Sequence, residues 1–137
     1  MAFVLSTVMD AIAAELTTDI SGIRVAGYPI ANPTPPYAIV GYPTEFQYDY
    51  TAHAIGTTGK IRAVFPVRYV VGRVIEKATR DAISALVTGS PGIPESLGGS
   101  LGSVVDTANV GDAPRFEVEN IAGVDYQAVV FDLEVIG

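Results

Sequence analysis

The sequence predicts an α+β domain: a mostly antiparallel β-sheet with two main helices packed on one face and a long β-hairpin arm. Three observations predict it. Two segments, residues 5–16 and 73–87, carry apolar residues at helical spacing. Most other segments alternate apolar with polar residues or read as short apolar runs between Gly and Pro. Those strands cluster on either side of the second helix, so the strict β-α alternation of a parallel sheet does not fit. At 137 residues and 49% hydrophobic, one domain spanning 1–137 can bury a core without a disulfide or metal staple.

In the first segment Leu5, Val8, Met9, Ile12 and Leu16 form one apolar stripe, and Gly22 stops any continuation. Ile23 to Tyr28 reads as a short strand. Residues 29–36, PIANPTPP, hold four prolines and can be neither helix nor inner strand. Tyr37 to Tyr42 reads as a buried strand. Residues 44–59 are expected to form the arm, since Phe46, Tyr48 and Tyr50 alternate with polar residues before the chain turns to small residues. Lys60 to Val71 is the return strand, with Phe65, Val67, Tyr69 and Val71 on one face. Pro66 lacks an N–H, which marks an edge or a bulge.

A helix is expected over Arg73 to Val87, its stripe built from Ile75, Ala78, Ala82, Ile83 and Leu86, with Glu76 and Arg80 as an i,i+4 pair. Residues 89–103 are rich in Gly, Ser and Pro, yet Ile93, Leu97 and Leu101 recur every four residues, which suggests an anchored turn. Val104 to Val110 is a weak strand. Arg115 to Ile121 sets Phe116 and Val118 against Glu117 and Glu119. Asp125 to Ile136 sets Val129, Phe131, Leu133 and Val135 against Asp132 and Glu134, and Ala122–Gly123 joins these two strands as a hairpin. The expected core unites Leu5, Ile12, Ile75, Leu86, Val129, Phe131 and Leu133.

Composition excludes several functions. The net charge of −7, with eight scattered Lys and Arg, gives no basic face for a duplex or for an acidic membrane. Zero Cys and one His, His53, exclude thiolate zinc sites, cysteine nucleophiles and metal sites needing two imidazoles. The N-terminus lacks the basic region of a signal peptide, and no apolar run reaches membrane-spanning length, so a soluble, non-secreted chain is expected. No cofactor motif is present. Gly98 to Gly102 matches G-x-S-x-G around Ser100, but a Gly/Pro-rich loop rather than a strand precedes it, and the single His lies upstream. A small serine hydrolase is therefore a distant alternative. Gly56 to Lys60 lacks the first glycine and the final Ser/Thr of a phosphate loop, with Ala54 and Ile61 in their places.

Two groups stand out. Phe46, Tyr48 and Tyr50, with His53 beyond them, either cover core across strands or supply an interface to another chain. Glu117, Glu119, Asp132 and Glu134 are either the ordinary polar faces of two strands or a negative surface with a role.

The whole layout carries a resemblance. An amphipathic N-terminal helix leads to a proline-marked strand entry (Pro33 to Tyr37) and a long arm. A strand–helix unit (Lys60 to Val87) follows, then the loop TGSPGIPESL (Thr88 to Leu97) and a closing hairpin ending in YQAVVFDLEV. This resembles the tail terminator proteins of long-tailed bacteriophages, also called tail completion or tail-to-head joining proteins. The resemblance implies an α+β structural protein of the virion that is not an enzyme and needs no cofactor. It implies a homohexameric ring capping the completed tail tube at the head-proximal end of the tail. It also implies assembly in the host cytoplasm. The implied partners are copies of itself, the tube protein and a head-completion or connector protein, with DNA only passing through the lumen. The arm residues Phe46, Tyr48, Tyr50 and His53 would then touch a neighbouring subunit or the tube, and some of Glu117, Glu119, Asp132 and Glu134, which share outward faces of the closing hairpin, would line the lumen. Another head–tail connector, head-completion or tube subunit is the nearest alternative.

Overall fold

The computed structural model describes residues 4–19, 23–29, 34–49, 60–88, 105, 107–111 and 114–137. The chain is α+β, with a seven-stranded, mostly antiparallel sheet and two helices. In chain order the elements are α1 (Leu5–Asp19), β1 (Arg24–Ala26), β2 (Tyr37–Val40), β3 (Glu45–Asp49), β4 (Lys60–Arg73), α2 (Lys77–Thr88), β5 (Thr107–Val110), β6 (Arg115–Ile121) and β7 (Val124–Ile136).

Two long antiparallel strands, β4 and β7, form the spine of the sheet. Each is flanked by two shorter strands that share its length. On the outer side of β4, β2 pairs with residues 67–70 and β3 with residues 60–64. On the outer side of β7, β6 pairs with residues 124–130 and β5 with residues 133–136. β1 then adds to β2 in parallel, the one parallel pairing among the described strands.

Period-two alternation divides the sheet into two faces. On one face Phe65, Val67 and Tyr69 of β4 meet Val129, Phe131 and Leu133 of β7, and Val8, Met9, Ile12 and Leu16 of α1 and Leu86 of α2 close over them. Both helices thus pack on the same side. The opposite face carries no described helix. Its small apolar cluster, Tyr37, Val70 and Ala128, is buried by neighbouring side chains instead.

Three expectations need correction. The second helix begins at Lys77, because β4 continues to Arg73 by pairing with Tyr126 and Val74–Ile75 make the turn. Ile75 is consequently 82% exposed and is not core, as are Ala78 and Ala82 on the outer side of α2. The inward positions are Thr79, Ile83, Leu86 and Val87. Glu76 precedes the helix, and the Arg80 guanidinium pairs with Asp81 at 2.9 Å rather than with it. Pro66 lies neither at an edge nor at the bulge, which falls at Val71. It sits in the inner strand at the break between β2 and β3, where its carbonyl accepts the Gly41 N–H at 2.8 Å. In an antiparallel strand the N–H and C=O of one residue point the same way. The missing Pro66 donor therefore faces Gly41, its direct opposite in the β2 register, so the reciprocal bond to the Gly41 carbonyl cannot form and the ladder to β2 stops there, while the pairing with β7 loses nothing.

The closing hairpin is local chemistry. Ala122 and Gly123 both have positive φ (51° and 82°), as a two-residue type I′ turn requires. The Asn120 side chain accepts the Gly123 N–H and donates to Asp125.

Candidate functional site

The first candidate is the helix-free face. Alternation in β6 and β7 places Glu117, Glu119, Asp132 and Glu134 together there, as the sequence predicts. The sequence did not foresee their partners. Arg68 on β4 reaches across β7, its Nη1 donating to Glu117 Oε1 and its Nε to Glu119 Oε2, both at 3.1 Å. Arg62 donates to Glu134 at 2.6 Å and to Glu45 of β3 at 3.1 Å. Arg115 holds Asp132 at 3.2 Å. Tyr37 Oη donates to Glu119 at 3.1 Å. Burial, with help from the Glu119 charge and that bond, pushes the Tyr37 hydroxyl up to about 12. The bonds that Arg62 makes to Glu134 and Glu45 hold its guanidinium still more firmly protonated.

Three arginines thus answer five carboxylates, so the cluster keeps a net negative charge but each of its acids is paired. The signal for this was present in the sequence, since Arg62 and Arg68 alternate onto the polar face of β4. Finding it needed the β4–β7–β6 register, which is non-local. Each arginine already has carboxylate partners, so a passing phosphate gains little from it.

The arm is the second candidate. β3 and residues 60–64 of β4 form its hairpin base, with Phe46 opposite Ala63 and Tyr48 opposite Ile61. Phe46 is 38% exposed. Tyr50 and His53 lie outside the described residues, as do Ser100 and the Gly56–Gly59 segment.

The third candidate is one the sequence reading did not single out. Phe116 and Val118 stand on the helix-bearing face of β6 and are nevertheless 59% and 58% exposed. Val74 and Ile75 are exposed nearby, and Val74, Ile83 and Phe116 line a shallow groove. At the opposite end of the sheet, Tyr28 and Tyr42 are 61% and 66% exposed beside a second groove that they share with Leu5 and Met9 of α1. Exposed apolar positions of this kind, gathered rather than scattered, mark interaction surfaces.

The described residues contain no group of three or more His, Asp or Glu able to hold a metal, and no described helix is long and apolar enough to cross a membrane. Tyr69 Oη is fully buried and has no hydrogen-bond partner among the described residues. Tyr69 belongs to the main buried cluster, on the strand row that runs from Ala38 to Val129.

No model of a known protein family matches the chain, and no curated protein matches it.

Proposed function

We propose that this chain is a ring-forming structural protein of a long-tailed phage virion, capping the finished tail tube and presenting its other side to the head-completion proteins. The observation that carries the reading is that the row of strands β1, β2, β4, β7 and β6 ends in two dissimilar edges, unpaired among the described strands, with Phe116 and Val118 exposed on β6 and Tyr28 exposed just past β1, beside a hairpin arm. A ring closes by contacts between unlike surfaces of successive copies, and this chain has two such surfaces. The arm base at β3 offers a further edge to the tube. The net negative face, with Arg62, Arg68 and Arg115 already held by carboxylates, suits a channel through which DNA slides without sticking. The layout from amphipathic helix to closing hairpin adds the tail-terminator resemblance.

The test is tube elongation. Tubes growing from the cognate tube protein should stop lengthening when this chain is added, at a stoichiometry of one ring per tube end. Incorporation along the tube wall would instead make it a tube subunit. Elongation unchanged, with no protein on the tubes, would remove the reading.

A further inference from the structure

We infer that successive copies join by strand addition: β6 of one copy pairs antiparallel with β1 of the next, continuing a single row of strands through the assembly.

The sheet register carries this. One row on the helix face runs Val25, Ala38, Tyr69, Val129, Phe116 across β1, β2, β4, β7 and β6. Its neighbour on the open face runs Arg24, Tyr37, Val70, Ala128, Glu117. The row is about 19 Å wide from end strand to end strand, four strand spacings. β1 and β6 are its two ends, and among the described strands neither has a partner on its outer side. Unpaired edges of this kind are templates for another strand.

Strand direction fits. β2, β4, β7 and β6 alternate in direction, and β1 runs with β2. A copy placed by continuing the row therefore brings its β1 against β6 in the antiparallel sense. The side chains fit as well. Glu117 falls opposite the next copy's Arg24, Phe116 opposite Val25, and Val118 opposite Ile23. On the open face an acid meets a base. On the helix face two exposed apolar residues, Phe116 and Val118, meet two that already pack against the α1 side of the core. Opposed pairs of these types are the ones that stabilise neighbouring strands. The pairing is also one-way. β6 against β6 would set Glu117 and Glu119 on carboxylates of the same strand, and β1 against β1 would leave Phe116 and Val118 of β6 uncovered. A one-way contact builds a chain of copies, and a fixed rotation closes it into a ring.

The absence of cysteine makes the test clean. In the proposed register residues 24 and 117 are directly opposed, with Cα atoms about 4.5–5.5 Å apart, within disulfide reach. Arg24→Cys and Glu117→Cys are oxidised separately, mixed, and combined in one chain, then read on a non-reducing gel. Each single variant should stay uncrosslinked, the mixture should give a dimer, and the double variant a ladder ending at the ring size. A dimer from either single variant alone, or no cross-link in mixture and double variant, overturns the inference. Phe116→Asp serves as the second variant: Phe116 is exposed in the subunit, so the thermal transition should hold while assembly drops at least tenfold. Undiminished assembly overturns the inference. It rests on the ring reading above, and the two fail apart. A ladder without arrest of tube growth removes the tail assignment alone, and arrest without the cross-link removes this interface alone.

Discussion

Gly72 and Thr79 test whether α2 docks on β4 as described. A Cβ added at Gly72 would lie 2.5 Å from Thr79 Oγ1, with the next atom of Thr79 at 3.7 Å. Thr79 is 5% exposed and cannot swing into solvent without moving the helix. Gly72→Ala should therefore destabilise by about 1–3 kcal/mol through overpacking. In a Thr79→Ala background the oxygen is gone and the remaining Cβ sits at ordinary contact distance. The φ of Gly72 lies outside the left-handed region, so the added methyl then acts mainly by restricting the unfolded chain and should stabilise by about 0.4–1 kcal/mol. One substitution thus changes sign with its neighbour. Urea unfolding of the four proteins of this double-mutant cycle measures it, with a coupling of about 1.5–4 kcal/mol expected from the two ranges. Equal effects of Gly72→Ala in both backgrounds would refute the placement of α2.

Other consequences are equally measurable. Phe131, 1% exposed between β4 and the helices, should cost about 3–5 kcal/mol when cut to Ala, read as a lowered urea midpoint. Tyr69→Phe removes a buried hydroxyl that has no partner among the described residues and should be neutral or stabilising, whereas Tyr37→Phe loses the bond to Glu119 and should cost about 1 kcal/mol. Because the folded state holds Tyr37 near 12 against an ordinary 10, its contribution is complete below pH 10 and is lost as pH rises from about 10 to about 12. Burial raises Tyr69 in the same direction, so alkaline unfolding should flatten in part in the Tyr37→Phe variant. Asp49 and Lys60 are paired, so a two-residue Asn-Gly turn can replace residues 50–59. That variant should keep its thermal transition within a few degrees and lose affinity for tubes.

Legibility followed the range of the forces. The α1 stripe was readable because Val8, Met9, Ile12 and Leu16 repeat within about two and a half turns. The β6–β7 hairpin was readable because the Ala122–Gly123 turn and its flanking alternation lie close in sequence. Ile75 misled because Ile75, Ala78, Ala82 and Ile83 fit a helical period as well as the true inward set does. Only the pairing of Arg73 with Tyr126, some fifty residues away, keeps that stretch extended. Pro66 misled for the same reason, since the break between β2 and β3 that accommodates it lies on other strands. The four acids were placed on the correct face, but their arginine partners come from β4, and the sequence offered no register to align them. Phe116 and Val118 read as one apolar face of a strand. That the helices leave them more than half exposed depends on where α1 and α2 lie on the sheet.

The central claim is that copies of this chain close into a cap for a tube. Electron microscopy of the purified chain, alone and mixed with cognate tail tubes, tests it most directly. The account predicts discrete rings of one size with a central channel, and one such ring seated on an end of each tube. Monomers at every concentration with bare tube ends, or open filaments of the chain alone, would contradict it.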